Sequence, residues 1–149
     1  MGRYIYNQDS ELKLRSLAVI IFTFIVVACS STGKNSSEYA YQKDHSYSDM
    51  VKLHYRQSET KRGYKYEAYQ LIAEHNKFWP PIAKKCRPLM LNEGIDAFEF
   101  IFVVNSLGKV IDARSEVESE GVNCFLSGVK QIKYPQPPFE NWYELVSVK

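Results

Sequence analysis

Eight residues, Ala97 to Val104 (AFEFIFVV), constrain this chain more than any other segment. Alternation sets Phe98, Phe100, Phe102 and Val104 on one face, and the aromatic and β-branched content is that of a strand. The other face carries Glu99, Ile101 and Val103, so the strand is apolar on both sides for most of its length. A strand of that kind belongs in the middle of a covered sheet.

The flanking segments build outward from it. Asn105-Ser106-Leu107-Gly108 is a turn with Gly where positive φ is wanted, and Lys109 to Val117 returns with Ile111, Ala113, Ser115 and Val117 alternating, which predicts a hairpin. Glu120 to Lys133 carries Val122, Phe125, Leu126, Val129 and Ile132 at helical spacing. Pro135, Pro137 and Pro138 end that helix, and Asn141 to Lys149 is a last strand. Upstream, Tyr69, Ile72, Ala73 and Asn76 mark a helical face beginning near Tyr66, with Pro80 and Pro81 expected to stop it. The second Pro opens another helix through Ile82, Lys85, Cys86, Leu89 and Met90, ending near Gly94. His75 reads as a helix-surface residue, not a ligand. The order is ααββαβ. A right-handed crossover from the second strand to the third passes over the first, giving an antiparallel three-stranded sheet of order 2-1-3. Helices packed on one face of it complete a small α+β fold.

The N-terminal part follows different rules. Leu17 to Ala28 (LAVIIFTFIVVA) is uncharged, with Thr23 its one polar residue, and follows Lys13 and Arg15. A bilayer-spanning helix needs about 20 apolar residues, and this run gives way at once to Cys29, Ser30, Ser31 and Thr32. It has the form of a signal-peptide core. The junction Val26-Val27-Ala28-Cys29 resembles the lipobox of bacterial lipoproteins. That resemblance implies cleavage of residues 1–28, lipid on the Cys29 thiol, and membrane attachment through acyl chains at about 0.8 kcal/mol per buried CH₂. Ser30 in the next position implies the outer membrane, with the chain facing the periplasm. The long acidic stretch MGRYIYNQDSELKLRS ahead of the run suggests a translation start near Leu12 or Leu14. Residues 29–65 are polar and aperiodic, and predict a flexible tether with one short helix from Ser48 or Asp49 to Tyr55. Residues 66–149 are then the domain.

Charge and cysteines narrow the function further. The 19 basic and 17 acidic residues become 16 and 15 once the leader is removed, leaving no basic excess to support a nucleic-acid partner. With Cys29 assigned to lipid, Cys86 and Cys124 form an even pair in an oxidising compartment, where a disulfide is the natural state. Closing the loop of 124 − 86 = 38 residues between them stabilises by roughly 4 kcal/mol. His45, His54 and His75 form no metal-ligand cluster, and neither a serine elbow nor a paired-carboxylate motif is present. No cofactor, metal or catalytic residue is expected, and the chain reads as a non-enzyme.

Over roughly Phe78 to Lys149 the sequence resembles the C-terminal domain of the TonB and TolA family. The match is an ordered series: Trp79-Pro80, Gly94, the strand FEFIFVV, Asn105-Ser106-Leu107-Gly108-Lys109-Val110, the helix Phe125 to Ile132, and Tyr134-Pro135. Cys86 and Cys124 suit TonB-like modules with one cysteine in each helix. The resemblance implies a protein-binding role in which an extended partner segment adds beside the last strand. Trp142, Tyr143, Leu145, Val146 and Val148 would form that edge, with Trp142 and Tyr143 as anchors. An energy transducer would need a transmembrane helix and a long Pro-rich spacer, which this chain lacks. The expectation is therefore a tethered binding module in a transport or envelope complex. The alternatives are a structural lipoprotein whose tether tyrosines, Tyr39, Tyr41 and Tyr47, contact the cell wall and, last in order, an enzyme of unrecognised type.

Overall fold

The strand β1, Phe98–Asn105, lies at the centre of the sheet in the computed structural model, which describes residues 37–149. It pairs antiparallel with β2, Val110–Ser115, on one side and β3, Asn141–Val148, on the other, giving the order β2-β1-β3. Fold class, strand order and element order are those expected. Both faces of β1 are closed: Phe100, Ile101, Phe102, Val103 and Val104 are fully buried. The hairpin turn is held by the Asn105 side chain, whose Oδ1 accepts from the backbone of Leu107 and Lys109. Gly108 has φ +77°, and a Cβ there would lie 2.0 Å from the Tyr134 carbonyl oxygen, so both conformation and space demand glycine.

Among the described residues, four α-helices pack around the sheet. The first, α1, spans Tyr47–Ser58 and is capped by Ser46, whose hydroxyl accepts from the Asp49 N–H. Next, α2 (Lys61–Tyr66) is capped by Thr60 and continues through a π-helical turn, Glu67–Leu71, into α3 (Ile72–Asn92). The last, α4, spans Glu120–Val129, with Ser119 as its cap.

The expected break at Pro80 and Pro81 is absent, because α3 runs straight through both. A proline inside a helix leaves the carbonyl four residues back without its donor. Here those carbonyls belong to Asn76 and Lys77, which are exposed like the prolines, so the freed groups are open to solvent. The two helical units ahead of the sheet are instead α1 and the long α2–α3 rod.

One face of the sheet carries α3 and α4, as expected. Trp79 stacks on Phe100 at 5.5 Å between ring centroids, Phe125 meets Phe98 edge-on at 5.5 Å, and Tyr134 stacks on Phe102 at 5.3 Å. The opposite face, where Ile101, Val103 and Tyr143 lie in register with Asp112 and Arg114, is closed by α1 and the chain before it. Tyr41 donates to Asp112, Tyr143 donates to the Ala40 carbonyl, and the Arg114 guanidinium clamps the His45 and Lys43 carbonyls at 2.6 and 2.9 Å. Tyr39, Met50 and Leu53 join the core. The tether drawn from the sequence to residue 65 is thus built into the fold from residue 38 on. Isolated tyrosines and a marginal helix give no apolar period to read, and only the sheet's second face makes them fold.

Candidate functional site

The outer edge of β3 is the surface that the sequence puts forward for partner binding. In an antiparallel strand the N–H and C=O of one residue point to the same side, and the next residue's to the other. Two side chains of α1 reveal which residues of β3 point outward. Gln57 Nε2 donates to the Asn141 carbonyl at 2.6 Å, and Gln57 Oε1 accepts from the Tyr143 N–H at 2.9 Å. His54 Nδ1 lies 2.9 Å from the Tyr143 carbonyl oxygen. The primary amide of Gln57 therefore stands where a neighbouring strand's peptide group would stand, and it is fully buried there.

By the same parity, Leu145 and Ser147 turn their N–H and C=O groups outward, while Trp142, Glu144, Val146 and Val148 pair with β1. Among the described residues no hydrogen bond reaches the backbone of Leu145 or Ser147 on that side. Exposure changes with it: residues 141–144 are buried, whereas Leu145, Val146 and Val148 are half-buried and Ser147 is exposed. The edge is thus sealed by α1 over its first half and bare over its second.

This places the expected site residues in two groups. Trp142 and Tyr143 are at 0% exposure and cannot serve as surface anchors. Trp142 packs against Tyr66 and Phe139 at 5.2 and 6.1 Å between centroids, and Tyr143 lies under the segment before α1. Sequence patterning marked both as aromatics of an edge strand, with no sign that α1 would cover that edge. Leu145, Val146 and Val148 remain at the accessible half.

Cys86 and Cys124 are joined in a disulfide, with 5.5 Å between Cα atoms, that ties α3 to α4. It lines a groove of about 580 Å³ between those helices, with Ile82, Leu89 and Asn123 among its walls. Cys29 lies outside the described residues. No group of three metal-ligating side chains comes together among the described residues.

Two titratable groups lie on the side of the sheet under α3 and the π-helical turn: Glu144, which the sequence did not single out, and His75, which was expected on the helix surface and instead turns inward. Glu144 faces Phe102 on the helix-covered side. Burial pushes its carboxyl up to about 8, against the effect of Trp142 Nε1, which donates to it at 2.8 Å; nearby Glu67 pushes the same way as burial. His75 sits against Trp79, Phe102 and Tyr134, and burial lowers it to about 4. The His75 Nε2, Trp79 Nε1 and Tyr134 Oη atoms are buried without hydrogen-bond partners among the described residues. Each group is held neutral, which suits a structural interior.

No family model, characterised protein or solved structure matches this chain.

Proposed function

We propose that this chain is a lipoprotein cut before Cys29 and held by lipid on that residue to the outer membrane, facing the periplasm. Its domain is a non-enzymatic protein-binding module that takes an extended partner segment onto the sheet, within a transport or envelope complex. The observation that carries this reading is the half-sealed edge of β3: a strand edge with open donors and acceptors at Leu145 and Ser147, beside half-buried apolar side chains. Such an edge recruits an added strand through main-chain hydrogen bonds, and adjacent side chains select it. The ordered motifs shared with TonB-like domains support the same mode.

Ser147→Pro tests it, because proline removes an outward N–H while leaving the residues that pair with β1 untouched. Crosslinking of the full chain in a native envelope is expected to recover a partner with the wild type and to lose it with Ser147→Pro. Equal recovery from a variant that keeps its cooperative melting transition refutes strand addition at this edge. Mass spectrometry of the processed chain tests the anchor separately: an N-terminus other than a lipidated Cys29 removes that part of the reading.

A further inference from the structure

Charge is spread unevenly over the described residues. The helical rod from Lys61 to Asn92 holds seven cations against two carboxylates, while the other described residues hold eight against 13. Near-neutral overall charge conceals this dipolar layout.

The rod also concentrates exposed apolar side chains. Tyr69 is 71% exposed, Leu91 50% and Ile72 46%. Lys65, Tyr69, Lys77, Lys84 and Leu91 recur at multiples of the helical turn, along one line. All five are exposed. Cys86 and Met90, which are buried, together with the inward-packed His75 and Trp79, mark the opposite side of the same helix. Between Lys84 and Leu91 the line crosses a shallow apolar recess of about 260 Å³, walled by Ala83 and Pro88 and flanked by Arg87.

We infer that this stripe is a docking surface for a bilayer containing anionic phospholipid. Charge complementarity selects an anionic partner, and the interleaving selects its kind. A soluble polyanion would neutralise the lysines and leave Tyr69 and Leu91 in water. A headgroup layer accepts the ammonium groups at the phosphates while the tyrosine ring and leucine enter the acyl boundary. The surface does not depend on lipid at Cys29.

The full chain with Cys29→Ser and an environment-sensitive label at Tyr69→Cys is compared with the same label at Tyr55→Cys. Tyr55 is a 53% exposed tyrosine on a different helix, α1. With vesicles of phosphatidylcholine plus phosphatidylglycerol, the label at 69 is expected to become shielded from a neutral aqueous quencher, and the label at 55 to stay accessible. Reversing Lys65, Lys77 and Lys84 to Glu raises the vesicle concentration for half-maximal shielding by roughly fivefold or more per lysine. Equal accessibility at 69 and 55, equal shielding with pure phosphatidylcholine, or shielding by heparin but not by vesicles would each overturn the inference. Flotation of the unsubstituted chain with pure phosphatidylcholine vesicles reads the N-terminal attachment alone, so failure of the anchor and failure of the stripe are told apart.

Discussion

Glu144 is the most consequential single residue in the interior. Its carboxyl is raised in the folded chain to about 8 from an ordinary value of 4.5. Below the ordinary value both folded and unfolded forms are protonated, and burial costs nothing in ionisation. As pH rises through the interval, the unfolded chain releases the proton and the folded chain keeps it, so stability falls until about pH 8 and then levels. Glu144→Gln keeps an acceptor for Trp142 Nε1 and removes the titration. Urea midpoints at pH 6.5, 7.2 and 8, above the interval in which His75 titrates, are expected to decline for the wild type and to stay nearly level for the variant. A wild-type profile flat over that range would contradict a neutral buried carboxyl. His75 carries the opposite sign: its lowered value makes stability fall with acidification between about 6.5 and 4.

The elements carry two further tests. Among the described residues, Gln57 is the one side chain that both donates to and accepts from the edge of β3. Gln57→Ala leaves the Tyr143 N–H and the Asn141 carbonyl buried and unpaired, at about 2–4 kcal/mol. Hydrogen exchange at the Tyr143 amide is expected to accelerate together with that loss. Continued slow exchange would mean that the amide is protected by something other than Gln57. The α3–α4 crossing is tighter still: a Cβ on Gly121 would come within 2.5 Å of the Met90 backbone nitrogen. Gly121→Ala must push the helices apart, for roughly 1–3 kcal/mol, measurable as a lowered denaturant midpoint. What could be read from sequence follows the same division. The central strand, the hairpin and α4 declare themselves by period, and the sheet order follows from their connections. The continuity of α3 through Pro80 and Pro81 does not, since it depends on where the freed carbonyls meet water. The role of α1 does not either, because Gln57 and His54 look like ordinary polar positions until the edge they cap is in place.

At the scale of the whole molecule, the Cys86–Cys124 bridge joins the two helices that cover one face, across a separation of 38 residues. Reducing it is expected to cost about 4 kcal/mol by the chain-entropy account, seen as a lower melting temperature in reductant. An unchanged transition would place the stability elsewhere. The candidate site was legible only in part: β3 was identifiable as an edge strand, but which half of it is open is a property of the assembled layers. That half-open edge also sets a limit on what can be recognised there. Two outward residues exchange at most about four main-chain hydrogen bonds, worth about 2–6 kcal/mol together, which by itself is an encounter in the millimolar range. Under the proposed binding role, the module would read a very short word and would depend on being confined with its partner to make that word count. Linkage of the two partners through a short flexible connection, where effective concentrations reach about the millimolar range, would be the setting in which so brief a contact becomes selective.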